Sequence, residues 1–324
     1  MPMNIPLIQQ EEVKNLLDMR ACIELMKQVQ IAISTGNINN PARNFMPLEG
    51  KHDVLGLMPG ELSSRGIFGA KLISLYPENP KQAGLPAIQG FVILFDSKTG
   101  APCAFVEAAS ITAIRTAAAS AAATDALARK QAKVLTLLGY GVQATSHLEA
   151  MREVRDIQKV YVWGPMLEKA RTFAQTQSQI HGIEVIATDS REEAIGSADI
   201  LCAVSNASQA IIEGSWLAEG VHINLVGAHT PDTREADANC MARCRIFTEI
   251  GEIALSESGD LLLAIAAGAL TNNDIVGEIG LVYNNDLEGR TNDRDLTLYI
   301  SLGNTAQDLI SADYVHNKYG VTLT

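Results

Sequence analysis

Hydrophobic residues in the first third of the chain recur with two different periods. Over residues 11–35, apolar side chains such as Val13 and Ile23 recur at helical spacing, with a break near Asp18. Between residues 42 and 106, the apolar residues instead form short runs separated by turn residues. The pattern therefore predicts helices first and then an antiparallel sheet.

The rest of the chain alternates between helical and extended segments. Residues 110–130 are rich in alanine and lack glycine and proline, which predicts a helix, and the apolar run at 133–138 predicts a buried strand. Further strands are predicted at 159–163, 183–187, 199–204, 221–226 and 245–248. Residues 295–317 look like a strand followed by a helix that packs back on the first domain. Because such alternation builds parallel sheets, we expect an α/β protein: a Rossmann-type doubly wound parallel sheet plus a smaller α+β domain.

The composition is that of a globular protein without affinity for nucleic acid or membranes. Hydrophobic residues make up 47% of the chain and charged residues 19%, which excludes a disordered protein. The net charge is −12, and no run of Lys or Arg offsets it, which argues against nucleic acid and anionic membrane surfaces. No apolar run has the length of a bilayer span, and residues 1–12 lack the pattern of a signal peptide. We therefore expect a cytoplasmic protein.

The cysteines do not predict a metal site. They number five and are scattered along the chain, which suits reduced thiols. Cys240 and Cys244 are close enough to share a helix face, but no second pair of Cys or His completes a zinc site. We expect no bound metal.

One glycine-rich motif points to a dinucleotide cofactor. Residues 139–144 read Gly-Tyr-Gly-Val-Gln-Ala and match G-x-G-x-x-A directly after a predicted strand. Gly139 allows the tight turn, Gly141 lets the backbone approach a pyrophosphate, and Ala144 permits close packing of the helix on the strand. The N-terminus of that helix favours the anion. The motif predicts NAD or NADP, and the alternative is a purely structural turn.

The end of the second predicted strand normally selects between these two cofactors. An acidic residue there binds the ribose 2′-hydroxyl of NAD, whereas an Arg accommodates the 2′-phosphate of NADP. Residues 161–166 read Tyr-Val-Trp-Gly-Pro-Met and contain neither. Lys169 and Arg171 follow, although such residues more often belong to a solvated helix face. Because no carboxylate repels a 2′-phosphate here, we expect NADPH to be favoured or both cofactors to serve.

Three cationic residues in the first part of the chain lie in unusual surroundings. Arg43 follows Pro41, Lys71 lies inside an apolar strand, and Arg115 lies in a helix that is nearly free of other charge until Asp125. A charge in such surroundings is costly unless it is paired. Each residue is therefore either a snorkelling or ion-paired structural residue or part of a functional site.

These residues belong to a set of motifs that spans nearly the whole chain. The set comprises Gly69-Ala70-Lys71, Ile114-Arg115-Thr116-Ala117-Ala118, the loop at Gly139, Ser197-Ala198-Asp199-Ile200, Asn224-Leu225-Val226-Gly227-Ala228, Pro231, Arg234-Glu235, Gly289-Arg290 and the run from Ser301 through Gly303 to Asp308. In this set the chain resembles the ornithine cyclodeaminase/mu-crystallin family.

The resemblance implies two domains and a homodimer. Residues 113–304 would form the NAD(P)-binding Rossmann domain, and residues 1–112 with 305–324 would form a substrate-binding domain through which two copies associate. Members of the family handle a C–N bond next to a carboxylate through an imine. The partner is therefore expected to be a small imino or amino acid.

The resemblance also implies roles for individual residues. Arg43, Lys71 and Arg115 would hold the substrate carboxylate beside the nicotinamide, which agrees with the bidentate fork of Arg and the mobile proton donor of Lys. The matched motifs and the ends of the predicted strands supply the candidates for cofactor binding: Thr116, Gly139, Gly141, Val142, Gln143, Ala144, Trp163, Gly164, Val204, Ser205, Asn206, Val226, Gly227, Ser301 and Gly303.

One residue departs from the family pattern. In the cyclodeaminases that this family includes, the loop after the fifth strand has the pattern Gly-Gly-Asp-x-Pro-Gly-Lys. Its Asp is thought to hold the ornithine amine. Here His229 occupies the position, in Gly227-Ala228-His229-Thr230-Pro231. An imidazole is a poor partner for an ammonium group, so ornithine cyclodeamination is not expected unless Asp232 substitutes.

The leading hypothesis is NAD(P)H-dependent reduction of a cyclic ketimine. The substrate would be Δ1-pyrroline-2-carboxylate, giving L-proline, or Δ1-piperideine-2-carboxylate, giving L-pipecolate. Lys71, His229 or a water would protonate the imine nitrogen. The alternatives are an ornithine cyclodeaminase, an alanine-type amino-acid dehydrogenase, and a protein that binds the cofactor without turnover.

Overall fold

The computed structural model describes residues 5–38, 40–41, 43–49 and 53–322. The chain divides into two compact units, one of Met1–Arg115 with Gly303–Thr324 and one of Thr116–Leu302. Helix α4, residues Ala108–Leu127, contributes residues to both. Among the described residues, no helix combines the length and the apolar character that crossing a membrane requires.

The first unit contains a six-stranded sheet. Its strands are β1 (Leu7–Ile8), β2 (Asn44–Pro47), β3 (Val54–Leu62), β4 (Ile67–Leu75), β5 (Ile88–Asp96) and β6 (Pro102–Glu107). The spatial order is β1-β6-β5-β4-β3-β2, and every pairing is antiparallel except the one between β1 and β6. The antiparallel sheet predicted for this segment is confirmed.

Helices cover one face of this sheet. The helices of the unit, apart from the start of α4, are α1 (Gln10–Leu16), α2 (Met19–Ser34), α3 (Asn79–Gln82) and α12 (Thr305–Thr322). The break that the sequence predicts near Asp18 lies between α1 and α2. Asp18 is the N-cap of α2, and its side chain accepts a hydrogen bond from the Ala21 amide. Helix α12 packs on β3, β4 and β5. A Cβ at Gly69 would collide with the carbonyl oxygen of Ile93 on β5 and would also lie 3.1 Å from the side chain of Leu309 on this helix, so only glycine fits here.

The other face of the sheet is apolar and exposed. Leu57 and Phe91 pair with Leu72 from either side, and all three side chains are more than a third exposed. Met46, Leu55 and Phe68 extend the same surface. We call these six residues the open sheet face. A contiguous apolar patch of this kind marks an interaction site.

The second unit contains an eight-stranded sheet. Its strands are β7 (Val134–Leu138), β8 (Lys159–Trp163), β9 (Glu184–Ala187), β10 (Ile200–Ala203), β11 (His222–Leu225), β12 (Arg245–Thr248), β13 (Ile275–Glu278) and β14 (Thr297–Ile300). The order is β13-β12-β14-β11-β10-β7-β8-β9, and all neighbours are parallel. The doubly wound parallel sheet is confirmed, with β13 as a strand that the sequence pattern did not predict.

Helices connect these strands. They are α5 (Val142–Val154), α6 (Leu167–His181), α7 (Arg191–Gly196), α8 (Ala238–Arg243), α9 (Gly251–Glu257), α10 (Gly259–Ala266) and α11 (Ile279–Tyr283). The strand near the chain end, β14, enters the middle of this sheet between β11 and β12. The helix that follows it is α12 of the first unit.

Candidate active site

Lys71 and Arg115 lie buried in the first unit. Along β4, residues 67, 69, 71 and 73 are buried, so Lys71 is on the face that α12 covers. Arg115 lies on α4, and its exposed fraction is only 6%, against 2% for Lys71. Such burial means that each charge needs a partner inside the protein.

Asp308 on α12 is that partner. Its Oδ2 lies 2.7 Å from Nζ of Lys71, and its Oδ1 accepts a hydrogen bond of 2.9 Å from Nε of Arg115. Nη1 of Arg115 also donates to Oε1 of Gln307 over 3.0 Å. The sequence alone places Asp308 in a motif of the family resemblance and assigns it no role. The signal that points to it is the need of two buried cations for a carboxylate.

Arg43 and Gly303 complete the cluster. Nη1 of Arg43 donates to the carbonyl oxygen of Gly303 over 3.5 Å, and its guanidinium lies over the ring of Phe45. Gly303 has φ +73°, and a Cβ there would collide with the guanidinium of Arg115. The three predicted substrate residues are therefore brought together, with Gly303 beside them. Its predicted cofactor contact stays a prediction.

The cluster carries an excess of positive charge. Among the described residues, Lys71 and Arg115 share one carboxylate, that of Asp308, and no hydrogen bond uses Nη2 of Arg115. The arrangement can therefore take up an additional anion, and a planar carboxylate matches the guanidinium fork.

Burial lowers the pKa of Lys71 to about 8, helped by the charges of Arg115 and Arg43 and opposed by Asp308. Although burial alone would raise it, Arg115 and Lys71 hold the pKa of Asp308 below its usual value. Asp308 thus stays ionised, while Lys71 can gain and lose a proton in the neutral to mildly alkaline range. This makes Lys71 suited to proton transfer.

The second unit carries the predicted nucleotide loop after β7. Gly139 has φ +134°, and a Cβ there would lie 2.7 Å from the carbonyl oxygen of Val204. Gly141 is the N-cap of α5, with nothing within 4 Å of its Cβ position. Ala144 is fully buried, as close packing requires. The loop therefore fits a dinucleotide pyrophosphate at the N-terminus of α5, as do the first residues of the helix, Val142 and Gln143.

Five of the other cofactor candidates lie at one edge of the parallel sheet. Val204, Ser205, Asn206, Val226 and Gly227 directly follow the neighbouring strands β10 and β11 at their carboxyl ends, where dinucleotides bind in such sheets.

Trp163 ends β8, and the guanidinium of Arg191 lies 5.2 Å from its ring centroid. Gly164 accommodates the ring of Tyr140. Thr116 is buried on α4, and the hydroxyl of buried Ser301 donates to Glu249 over 3.3 Å. The contacts of Trp163, Gly164 and Ser301 are made within the protein, and the cofactor roles of all four residues stay predictions.

His229 lies in the loop after β11 and is exposed. Its Nδ1 is 3.0 Å from the carbonyl oxygen of Gly227, so the ring is anchored to the loop backbone. Asp232, the alternative partner for an amine, accepts a hydrogen bond from the hydroxyl of Thr230. Among the described residues, no group of His, Cys, Asp and Glu is arranged to hold a metal.

The sequence matches one family over nearly its full length. The model of the ornithine cyclodeaminase/mu-crystallin family matches residues 4–321. A Delta(1)-pyrroline-2-carboxylate reductase from Bacillus cereus is 34% identical over 312 residues, which are 96% of this chain and 95% of the relative. The ketimine reductase mu-crystallin of Mus musculus is 35% identical over 284 residues, which are 88% of this chain and 86% of the relative.

Solved structures show the same fold. The Delta(1)-pyrroline-2-carboxylate reductase of Thermococcus litoralis, in complex with NADH and L-proline, superposes with a TM-score of 0.94 at 34% identity over 98% of each chain. An archaeal alanine dehydrogenase dimer with bound NAD gives a TM-score of 0.92 at 28% identity, over 99% of this chain and 98% of the other.

Proposed function

The chain belongs to the ornithine cyclodeaminase/mu-crystallin family, and from this premise we propose that it is an oxidoreductase that reduces a cyclic ketimine carboxylate with NAD(P)H. The first substrate to test is Δ1-pyrroline-2-carboxylate, which gives L-proline, and Δ1-piperideine-2-carboxylate, which gives L-pipecolate, is the second. The observation that carries the proposal is the buried cluster in which Lys71 and Arg115 share one carboxylate and keep an excess positive charge. The names of the two reductase relatives support the same reaction.

The cluster assigns a task to each of its residues. Arg115 and Arg43 bind the substrate carboxylate and fix which face of the imine is presented for reduction. Lys71 supplies the proton for the ring nitrogen, because its lowered pKa leaves it close to the working pH. His229 or a water is the alternative donor. Asp308 keeps Lys71 and Arg115 in place.

When bound, the nicotinamide cofactor supplies the hydride for the imine carbon. The hydride and one proton together convert the C=N bond into the CH–NH of the amino acid. The loop at Gly139 and Gly141 holds the pyrophosphate, and the loops at Ser205 and Gly227 support it. We propose that NADPH serves at least as well as NADH, because β8 ends in Trp163-Gly164-Pro165 without a carboxylate.

A cofactor-oxidation assay tests this function. Purified protein is mixed with NADH or NADPH and with Δ1-pyrroline-2-carboxylate, Δ1-piperideine-2-carboxylate or pyruvate plus ammonia, and the absorbance of the reduced cofactor is followed. We expect turnover with at least one cyclic ketimine. Turnover with pyruvate and ammonia alone would instead identify an amino-acid dehydrogenase. A hundredfold preference for NADH would contradict the proposed cofactor use.

We also propose that the protein is a homodimer that associates through the open sheet face. The six apolar side chains there are exposed in the single chain, and burying them against a second copy would remove apolar surface from water. The alanine dehydrogenase structure, a dimer, supports the dimeric state, while the choice of this face rests on its exposed apolar side chains.

A further inference from the structure

Glu235 connects two loops of the second unit. Its Oε1 accepts hydrogen bonds from the amide and the hydroxyl of Ser205, over 2.9 and 2.6 Å. Its Oε2 accepts a hydrogen bond of 2.7 Å from the amide of Gly227. Ser205 follows β10 and Gly227 follows β11, and these strands are neighbours in the sheet. One side chain therefore joins the backbones of two loops at the edge where a dinucleotide binds.

The backbone of Glu235 is itself held firmly. The amides of Glu235 and Ala236 both donate to Oδ1 of Asp260 over 2.8 Å. The carbonyl oxygen of Glu235 accepts from the amides of Ile211 and Ile212, over 2.8 and 2.9 Å. Its side chain is fully buried. The carboxylate is thus fixed relative to the two loops.

Resting on the proposed use of NAD(P)H, we propose that Glu235 is a positioning residue whose ionised carboxylate holds the Ser205 and Gly227 loops in the geometry that binds the cofactor. The ionised carboxylate accepts hydrogen bonds at both oxygens, whereas a protonated one turns an oxygen into a donor. On Oε2 that donor would face the Gly227 amide, and on Oε1 it would point at the Ser205 hydroxyl, which would have to turn and give up its own donation to Oε1. Protonation of Glu235 therefore loosens one loop and weakens cofactor binding.

The surroundings of Glu235 place its titration near neutral pH. Burial raises the pKa of Glu235 to about 7, the Ser205 hydroxyl opposes this, and the neighbouring Asp260 adds to it. Burial also raises the pKa of Asp260 to about 6, partly offset by Arg234. Cys202 stays a thiol, because burial raises its pKa to about 12. Among the described residues, no cation forms an ion pair with Glu235.

The test measures binding of NADH without turnover, by fluorescence titration between about pH 6 and 8.5. NADH is chosen because it lacks the 2′-phosphate, which would itself titrate in this range. We expect the wild-type affinity to fall about five- to tenfold between about pH 8 and pH 6, as protonation at a pKa of about 7 requires. Glu235→Gln should bind NADH about tenfold more weakly at pH 8, with a flattened pH dependence.

The matched control is Glu213→Gln, which removes an exposed carboxylate next to Ile212, the residue that bridges to Ala236. It should leave the affinity and its pH dependence unchanged. The folding of Glu235→Gln is checked by its Tm at about pH 8, which should not fall, because this variant no longer buries a carboxylate whose ionised form is disfavoured.

Hydrogen exchange provides a readout without any cofactor. In the cofactor-free protein, the segments around Ser205 and Gly227 should exchange faster in Glu235→Gln than in the wild type. A wild-type affinity for NADH that does not change with pH would overturn the inference, as would a Glu235→Gln variant that binds NADH like the wild type. A wild type that binds neither NADH nor NADPH would instead overturn the proposed function.

Discussion

Arg115 combines a structural bond with donors that a ligand can use. Its Nε is bonded to Asp308, while Nη2 is not used in any hydrogen bond to the described residues. Losing a charge-assisted contact costs about 1.5–3 kcal/mol, or roughly 10- to 100-fold. We therefore expect Arg115→Ala to lower kcat/KM for the ketimine by at least this factor. Steady-state kinetics measure the effect.

The control for this variant is Arg65→Ala. Arg65 belongs to the same unit and pairs with Asp313 over 3.5 Å, and its side chain is 36% exposed. Its removal should leave kcat/KM unchanged. The carboxylate-binding role is wrong if Arg115→Ala is folded and keeps wild-type efficiency toward every ketimine acid that the enzyme accepts.

The pairing of Lys71 with Asp308 predicts how activity depends on pH. If Lys71 donates the proton, kcat/KM should fall as the pH rises through about 8, where Lys71 loses its charge. Asp308 raises the pKa of Lys71, so Asp308→Asn should move this decline to lower pH. The difference between two pH profiles isolates Lys71, because the titration of the substrate is common to both. Identical declines would mean that another group donates the proton.

The presence of His229 in place of an aspartate predicts that ornithine cyclodeaminase activity is missing. Cyclodeamination must hold the distal amine of ornithine, and a carboxylate can balance that charge, whereas an imidazole offers one acceptor at most. Nδ1 of His229 is already close to the Gly227 carbonyl. We expect little or no ammonia release from ornithine with NAD, at rates far below ketimine reduction. In the companion variant His229→Asp, even weak ammonia release from ornithine would place this position in the substrate pocket. Ammonia release by the wild type at a rate comparable to ketimine reduction would contradict the prediction.

Sequence reasoning found the cations of the cluster more readily than the residues that hold them. Lys71 and Arg115 stand out because a charge is rare in an apolar strand or an alanine-rich helix. Asp308 and Glu235 lie in segments that are not adjacent in sequence to their partners, at separations of 193 residues for Arg115 and 30 for Ser205. Only the fold shows which donors these carboxylates meet.

At the scale of secondary structure, periodicity predicted the strong elements and missed a weak one. The predicted helix at 110–130 is α4, and the predicted strands match β7 to β12 to within two residues. Strand β13 reads Ile-Val-Gly-Glu, is half-buried at the sheet edge, and contains Gly277 at φ +151°. Neither alternation nor apolar continuity is present in so short a run, and pairing with β12 supplies its structure.

The carboxyl end of helix α4 is capped by the side chain of Arg155, so we expect this residue to stabilise the protein. The guanidinium of buried Arg155 donates to the carbonyl oxygens of Thr124, Asp125 and Ala128 over 3.0 to 3.1 Å. These groups lie in the last turn of the helix or just beyond it, where the helix supplies few backbone donors; of the three, the carbonyl oxygen of Thr124 also accepts from the amide of Ala128 over 2.9 Å. Arg155→Met should lower the free energy of unfolding by about 3–5 kcal/mol. Denaturant unfolding of this variant beside Arg152→Met, an exposed neighbour, measures it, and equal midpoints would refute the capping role.

At the scale of the whole molecule, the exposure of the open sheet face favours a dimer over a monomer. The six apolar residues occupy one surface, whereas the opposite surface of the same sheet is covered by α12. In an aqueous monomer this face would leave a large contiguous apolar patch exposed, which is unusual for a soluble chain. A second copy presents an identical patch, so the two faces can bury each other around a twofold axis.

Charges introduced on this face should therefore separate the subunits. Leu57 and Leu72 are direct cross-strand neighbours, so Leu57→Lys with Leu72→Lys would place like charges together in the buried interface. We expect the wild type to sediment as a dimer and this variant as a monomer that still binds NADH. Leu85→Lys, an exposed leucine outside the strands, should stay dimeric. Retained NADH binding shows that the other unit, which carries the Gly139 loop, is folded, and an unchanged Tm shows the same for the substituted unit. A dimeric double variant would show that the subunits associate elsewhere.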